Sequence, residues 1–455
     1  MRFYSITSKK LKTLLIFLLV TVLANVFQAQ NHAISPYSRF GVGDFQPIQT
    51  PRNVAMGGVS VGLTSPLSIT SRNPATLRNL DSLMVNFEVT MHSIMSRLQE
   101  NVSINGVDTT LSARSNRASL GQISFAFPIT NWLGAGFGLT PATNMNYNVS
   151  REFGQSDTVI GRRILNHQGN GGLNQVFFGV GIGTDRISVG ANFNYQFGMF
   201  TRNTFLHFVD TFLVIPAPGG AGWINAATTT ENLTEVSVGG FFVDLGLQFR
   251  QPLNDRFALG LGLTYRPRYN LNATRNFTLR SNPGIGAEHI DIIAADTLDG
   301  RIQMPDMFTV GLSLERLGRW VIAGEYSFVD FSNYREFGRP DPNLGLSQTF
   351  RMGMEFMGQP LHSNFMNRLS YRFGAHHGTS YVAFHNNAIT QQGISVGLGM
   401  PIARRGFGGG FARLDVAVEF GRKGSLNDGQ IQENYARIVV GLSAFERWFQ
   451  RGRFD

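Results

Sequence analysis

Apolar side chains alternate with small or polar ones in long runs through most of this 455-residue sequence. In residues 187–199, ISVGANFNYQFGM, one parity carries Ile, Val, Ala, Phe, Tyr and Met, and the other carries Ser, Gly, Asn and Gln. The same period of two recurs in residues 85–92, 257–265 and 413–420. Successive side chains of a strand point to opposite faces, so each run predicts a β-strand with one apolar face. A soluble sandwich and a membrane barrel both remain open at this point.

Three further features favour a barrel that crosses a membrane. One parity stays apolar over about ten residues, the length that a tilted strand needs to cross a bilayer. The other parity carries Gly, Ser, Asn, Arg and Glu, which suit a polar lumen better than a sandwich core. Connections also alternate in length, as they do in outer-membrane barrels. Tight turns are predicted at 129–132, 184–186, 253–256 and 316–319, and long polar loops at about 97–117, 152–171, 205–232, 279–305 and 332–346.

The predicted fold class is all-β, a fourteen-stranded antiparallel transmembrane β-barrel with an N-terminal hatch. The strands are expected at about 83–97, 117–129, 132–151, 172–184, 186–204, 233–252, 256–278, 306–316, 319–331, 347–358, 366–382, 391–402, 411–423 and 433–446. With an even number of strands, the first strand begins and the last strand ends on the same side of the membrane, and the short turns fall on that same side. Both termini are therefore expected in the periplasm.

The first segment, residues 1–30, is predicted to be a secretory signal peptide. Four cationic residues precede an uncharged apolar run, and small residues follow at Ala24 and Ala29. The run is shorter than the ~20 residues of a spanning helix. The mature chain is therefore expected to be exported. The chain has 39 Lys and Arg residues, but they form no basic run after this segment, so nucleic acid is not an expected partner.

Residues 31–82 precede the first predicted strand and are too rich in Gly, Pro, Ser and Thr for a long regular element. A segment of this length ahead of a barrel (residues 83–455) is expected to fold into the lumen as a plug. Its stretch MGGVSVGLTSPLSITSRNPATL resembles the hatch of the FadL-type outer-membrane transporters of long-chain fatty acids and other hydrophobic compounds. The resemblance rests on Gly57 and Gly58, on Asn73, Pro74 and Ala75, and on their position before strand one.

The FadL-type resemblance implies a location in the outer membrane of a Gram-negative bacterium and a kink in strand three that opens the wall sideways. Pro141 lies in the middle of the predicted third strand and cannot donate a ladder hydrogen bond, so a break there is also expected physically. The same superfamily includes PorV-like barrels, which are accessory subunits of a secretion translocon. The resemblance alone therefore leaves lipid transport and protein docking both open.

The leading hypothesis is passive uptake of a hydrophobic ligand, a long-chain fatty acid or similar lipid, through the hatch and the lateral opening. Ligand contacts are predicted at Met145, Tyr147, Phe205, Phe208 and Phe212. The alternative is a PorV-like docking barrel of an outer-membrane secretion or assembly complex, with a protein partner at the external loops. A general porin fits poorly, because a hatch of ~50 residues would block the lumen. The residues suggest no catalytic set, no metal ligands and no cofactor, so the chain is not expected to be an enzyme.

Charged residues on the inward parity are expected to pair with one another and with the hatch. Arg facing lipid would cost roughly 2–4 kcal/mol near the midplane, so these side chains are assigned to the lumen. The mixture of acid and base favours mutual pairing over a one-sign ion channel. The inward set is Glu88, Asp244, Arg250, Arg266, Glu315, Glu325, Arg351, Glu355, Arg368, Arg372, Arg413, Asp415, Glu419 and Arg437.

Overall fold

The computed structural model describes most of the chain after the predicted signal peptide. The described residues are 35–46, 49–64, 71–80, 84–104, 107–153, 162–209, 212–217, 220–225, 229–282, 291–359, 362–384, 387–404, 411–427 and 429–447. The predicted signal peptide and the basic tail after residue 447 lie outside the described residues.

Fourteen strands, numbered here β1 to β14, build the wall. They are Met84–Ile104, Val107–Thr130, Leu133–Pro141 with Thr143–Phe153, Arg163–Gly183, Ile187–Phe208, Thr229–Pro252, Phe257–Arg266 with Tyr269–Asn282, Asp291–Met304 with Met307–Arg316, Trp320–Asp330, Leu346–Phe356, Ser370–Phe384, Asn387–Arg404, Phe411–Lys423 and Gln432–Arg447. Strands β3, β7 and β8 each consist of two pieces.

Each strand pairs in antiparallel register with the next, and β14 closes the sheet against β1. Glu446 lies opposite Val85, and Asn434 lies opposite Arg97 at the other end of this seam. The wall is therefore a closed fourteen-stranded antiparallel barrel, which confirms the predicted fold class and strand count. We call the end where β1 starts the near end and the opposite end the far end. Among the described residues, no helix has the length and apolar character needed to cross a membrane.

Four of the predicted long loops are wrong in extent because the strands continue through them. Strands β1 and β2 run on to Ile104 and from Val107, and β8 already begins at Asp291. In the same way β4 starts at Arg163, and β5 extends to Phe208. Polar residues on both parities indicated loops, but strands that leave the membrane no longer need an apolar face. The predicted tight turns are confirmed at the near end.

Side-chain parity along the strands agrees with the predicted wall. Val189 and Phe193 are exposed on the outer face, whereas Asn192, Glu88 and Glu419 are buried inside the barrel. One inward assignment is wrong: Arg368 lies in a short helix, Phe365–Arg368, and strand β11 begins only at Ser370. The predicted strand start at residue 366 took this helical turn for part of the strand.

The outward parity gives a direct prediction. Phe193→Arg should lower the free energy of unfolding by roughly 2–4 kcal/mol, because it places a charge on the lipid face. The matched control is Ser347→Arg, since Ser347 points into a luminal cavity with room for a longer polar side chain. Urea unfolding in lipid vesicles measures both variants. Equal losses of stability would contradict the assigned parity.

Prolines interrupt three strands of the wall. The break in β3 falls between Pro141 and Thr143, as the sequence predicted. Strands β7 and β8 break side by side, at Pro267 and Pro305, and their pieces pair across both halves. A proline has no N–H for the ladder, so each one ends regular pairing locally. We call the piece of each strand that lies toward the far end its outer piece: Thr143–Phe153 in β3, Tyr269–Asn282 in β7 and Asp291–Met304 in β8. These outer pieces take part in the packing at the far end.

Candidate functional site

The N-terminal segment, residues 35–80 in its described parts, lies inside the barrel against inward-facing side chains. It contains a 3-10 helix Pro36–Arg39, a short strand Asp44–Phe45, a helix Pro51–Ala55 and a second 3-10 helix Pro74–Asn79. Thr50 and Asn73 cap the last two, each accepting a hydrogen bond from a backbone N–H. Short capped turns let the segment follow the curved wall.

Inward-facing glycines form a belt on which this segment rests. A Cβ atom added to any of them would come closer than 3.0 Å to the segment, a separation that real Cβ atoms essentially never show. The backbone of the segment can therefore approach the wall only because these positions lack side chains. The belt spans strands β3 to β8, β10 to β12 and β14 and consists of Gly134, Gly181, Gly190, Gly246, Gly262, Gly311, Gly353, Gly374, Gly397 and Gly441.

Asn73, Pro74 and Ala75, predicted to belong to the hatch, lie on the part of the belt formed by β4 to β6. The Asn73 amide donates to the Val61 carbonyl oxygen (3.0 Å) and to Gln248 Oε1 (3.0 Å). Its Oδ1 accepts from the Ala75 N–H at 3.2 Å. Asn73 therefore joins two parts of the segment to strand β6 while it caps the following helix.

Gly57 and Gly58 form the turn after the helix Pro51–Ala55. Both have left-handed backbone conformations, with φ of 69° and 90°. A side chain on Gly57 would also collide with the backbone of strands β10 and β11. The Gly57 N–H donates to Ser395 Oγ at 3.0 Å. The glycine pair thus has two requirements, a positive φ and a close approach to the wall.

A buried lattice of alternating charges joins the helix Pro51–Ala55 to the wall. Arg52 contacts Glu355 at 2.6 Å, and Arg372 contacts both Glu355 (2.7 Å) and Asp415 (2.5 Å). Arg413 completes the row at 2.6 Å from Asp415. Every carboxylate here lies between two guanidinium groups, which compensates the desolvation of the charges.

Glu325 forms a second link between the wall and the N-terminal segment. One of its oxygens accepts from the N–H groups of Ser60 (2.8 Å) and Val61 (2.9 Å). The other oxygen contacts Arg72 at 2.9 Å and Arg351 at 3.3 Å. The side chain of Glu325 is fully buried. The predicted pairing of luminal charges with one another and with the N-terminal segment is therefore present at these residues, whereas Glu88 has no ion pair among the described residues.

The far half of the lumen is filled by an apolar core made of the chain's own side chains. Met145 and Tyr147, two of the predicted ligand contacts, are buried there against Tyr37, Val42 and Phe200. The same core extends to the far half of β6, to the far-end pieces of β7 and β8 and to the connection after β9. Burial raises the pKa of Tyr37 to about 12, and its hydroxyl donates to the Ile431 carbonyl oxygen at 2.6 Å.

Two of the three predicted phenylalanine contacts, Phe205 and Phe208, are not part of this core. Phe205 is half-buried near the far end of β5, where its ring stacks on His207 with centroids 5.8 Å apart. Phe208 is half-buried at the end of the same strand. Phe212 begins a short hairpin, Phe212–Ala217 with Gly220–Asn225, and its side chain lies outside the described part of the structure. The five predicted contacts are therefore not brought together around one space.

The wall is discontinuous beside Pro141. Pairing between β2 and β3 ends at Ile123 and Leu139, and the outer piece of β3 continues to pair with β4. On its other edge, the described residues provide only the N-terminal segment: Asp44 and Phe45 lie opposite Asn144 and Thr143.

Further contacts extend this replacement of β2 along the outer piece of β3. The Gln46 N–H donates to the Ala142 carbonyl oxygen (2.9 Å), and the Asn146 N–H donates to Ser38 Oγ (3.1 Å). The small cavity at the break is lined mostly by polar side chains, including Gln46, Gln122 and Arg437. The N-terminal segment thus borders the break from inside, and the small cavity at the break is mostly polar.

A cavity of about 370 Å³ lies between the apolar core and the glycine belt. Its lining combines apolar side chains, among them Phe45, Met307 and Phe331, with charged side chains of both signs. The charged members are Arg72, Arg117, Arg266, Arg351, Lys423, Arg437, Asp44, Asp244, Glu419 and Glu433. Most of them are paired, as in Arg266 with Asp244 at 2.5 Å and Lys423 with Asp44 at 2.8 Å. Among the described residues, no group of three or more acidic or histidine side chains is placed to hold a metal ion.

The sequence analysis missed residues 35–46 as partners of β3 and missed Arg52 and Arg72 as partners of the wall. A signal for the glycine belt was nevertheless present, because Gly recurs on the inward parity of ten strands. Two-residue strands and single arginines in a loop-like segment leave no periodic pattern. Only the tertiary structure reveals their partners.

Comparison with known proteins gives one family and one fold. A family model described as BamG matches residues 9–455. No curated protein sequence matches the chain. Among solved structures, a FadL homologue of Pseudomonas aeruginosa is similar at 12% identity with a TM-score of 0.57, over 89% of this chain and 100% of that one.

Two toluene transporters are also similar in structure. TodX of Pseudomonas putida is similar at 16% identity with a TM-score of 0.54, over 89% of this chain and 100% of that one. TbuX of Ralstonia pickettii is similar at 14% identity with a TM-score of 0.52, over 88% of this chain and 98% of that one. At such identities the likeness establishes the fold, so the resemblance to FadL-type barrels is confirmed at that level.

Proposed function

The chain belongs to the BamG family, and we propose that it is a plugged outer-membrane barrel that docks another protein at its far end. The apolar outer face supports a place in the outer membrane, with the short turns and both termini toward the periplasm. The observation that carries the proposal is the filled interior: where a hydrophobic ligand would need space, the chain has packed its own side chains. The barrel then serves as a scaffold, not as a pore.

Charged and polar side chains that line the remaining space support docking over conduction. An apolar molecule that left the far-end core would meet paired charges in the cavity and polar side chains at the wall break. Desolvating such groups without replacing their hydrogen bonds is costly. Two links to the N-terminal segment, through Glu355 and Glu325, also have to break before the segment can move.

Several strands extend beyond the far end of the closed barrel, and these extensions supply a surface for a partner. The hairpin of β1 and β2 carries an exposed run from Val107 to Arg114, and the outer piece of β8 is exposed from Asp291 to Asp299. Protein partners commonly use exposed strands of this kind.

Photo-cross-linking in native membranes tests the docking proposal. A photoreactive amino acid at Thr110 or Leu298 should form a cross-link to one protein in high yield. The same group at Phe193, which faces outward from the barrel wall, serves as the control and should react with lipid. Absence of any protein cross-link from the far end would overturn the proposal.

Uptake of a hydrophobic small molecule is a second candidate, favoured by the break at Pro141. The break borders both the core and the cavity, and three similar structures are described as a FadL homologue and two toluene transporters. On this hypothesis residues 35–46 move aside and the ligand leaves through the wall between β2 and β3. The hatch residues Asn73, Pro74 and Ala75 would keep the polar lumen closed below.

Pro141→Ala tests uptake. The substitution restores a backbone donor and should allow β3 to pair further with β2, so it should slow entry of a labelled fatty acid or of toluene. Pro128→Ala, in β2 near the near end, is the matched control and should leave the rate unchanged. If the wild-type protein shows no saturable uptake of either compound, the transport hypothesis fails.

A further inference from the structure

We propose that the outer edge of β8, Asp291–Gly300, is a docking site for an extended, basic segment of a partner protein, which adds to the sheet as another strand. This inference rests on the docking function proposed above and assigns it a surface. The chemistry required of the partner is a free backbone ladder flanked by Lys or Arg.

The edge is open on one side only. Along the edge that faces β7, the outer piece of β8 is paired from Met304, opposite Tyr269, to Asp291, opposite Ser281. Along its other edge, only Ile302 and Gln303 are paired among the described residues, opposite Glu336 and Arg335 in the connection after β9. The Arg301 carbonyl oxygen accepts one more hydrogen bond there, from the Phe337 N–H at 3.0 Å. Beyond that point β9 has already ended, and within the described residues no strand lies alongside Asp291–Gly300.

An open edge of this length exposes a row of unpaired backbone groups together with apolar side chains. Ile292 and Ile293 are 65% and 59% exposed, and Leu298 is 40% exposed. Native proteins normally cover such edges or protect them with prolines, lysines or bulges, because they pair readily with other chains. Residues 291–300 contain no proline or lysine; the one irregularity in the pairing is a bulge at Ile293, and residues 294–300 pair with β7 in regular register. The edge therefore has the features of a pairing site.

The charge on the edge identifies the class of occupant. Asp291, Asp296 and Asp299 are exposed along it. Asp299 accepts a hydrogen bond from Thr274 at 2.6 Å, whereas Asp291 and Asp296 have no ion-pair partner among the described residues. A second copy of this edge would bring like charges together, which is unfavourable across a strand pair. A strand that carries Lys or Arg would instead gain opposite-charge pairs in addition to the main-chain ladder.

Three labelled peptides test both parts of the inference on the full-length protein in detergent micelles. The first is a ten-residue strand in which Val and Thr alternate with Lys. The second has Glu in place of each Lys, and the third is the Lys peptide N-methylated at alternate backbone nitrogens on one edge. We expect saturable binding of the first by fluorescence anisotropy, with at least a tenfold weaker Kd for each of the others.

Edge variants locate the binding. Asp291→Lys combined with Asp296→Lys should weaken binding of the Lys peptide at least fivefold, and Ala295→Pro, in the regularly paired part of β8, should do so by disrupting the edge strand. Asp108→Lys reverses one equally exposed charge on the β1–β2 hairpin, away from this edge, and should change Kd less than twofold. Unchanged folding is checked by the heat-dependent gel shift of the barrel.

Two results would overturn the inference without affecting the docking function. One is equal binding of the N-methylated peptide, which would mean attraction by charge alone. The other is equal weakening by Asp108→Lys, which would mean that the edge is not the site. If photo-cross-links in membranes then come from Thr110 and not from Leu298, docking stands and this edge is excluded. If neither position gives a protein cross-link, the docking function itself fails.

Discussion

Arg372→Ala should lower the free energy of unfolding by roughly 3–5 kcal/mol, which is among the largest losses that single substitutions cause. Arg372 is fully buried and contacts Glu355 at 2.7 Å and Asp415 at 2.5 Å. Its removal leaves two carboxylates in a low-dielectric interior with one guanidinium each, Arg52 and Arg413. Urea unfolding in vesicles, followed by the gel mobility of the folded barrel, measures the loss.

The matched control is Arg268→Ala, which removes an arginine from an exposed ion pair. Arg268 lies 3.5 Å from Asp306, and both side chains are about half exposed. Water already solvates these charges, so the expected loss is less than about 1 kcal/mol. Similar losses for the two variants would show that the buried lattice does not stabilise the barrel.

The wall was predictable because each of its strands repeats one simple pattern. Period two, the length of the apolar parity and the tight turns fixed the strand count and which side chains face outward. The far-end extensions were missed for the same reason: outside the bilayer both faces can be polar, so the pattern that signals a strand disappears. Proline at 141 was interpretable because it interrupts an otherwise regular strand.

The interior was predictable only in part. Strand parity placed Glu325, Glu355 and Asp415 inside, but their partners on the N-terminal segment, Arg52 and Arg72, lie in a stretch without period. The filling of the far half could not be inferred either. Met145 and Tyr147 have the side chains of a ligand pocket, and the same side chains serve equally well as core once Tyr37 and Val42 pack on them. Sequence gives the chemistry of a surface but not what covers it.

Gly190→Val should make the barrel permeable to small polar solutes while leaving the wall folded. An added Cβ at Gly190 would lie 2.5 Å from the Pro74 carbonyl carbon and 2.7 Å from its oxygen. Both atoms belong to backbone, so the turn that contains Asn73 and Ala75 has to leave the wall. Asn73 then loses its bonds to Val61 and Gln248, which join two parts of the N-terminal segment. Liposome swelling with a small sugar measures the resulting leak.

The control for this substitution is Gly324→Val, in the neighbouring half of the barrel. A Cβ at Gly324 meets only the Arg351 carbonyl oxygen at 3.9 Å, an ordinary contact, so neither folding nor permeability should change. A leak in Gly190→Val but not in Gly324→Val assigns the closed state to the contact between the glycine belt and the segment. If both variants stay closed and folded, the turn at Asn73 is not what closes the lumen. The apolar core at the far end would then be sufficient to seal the barrel, because its closure does not depend on the belt.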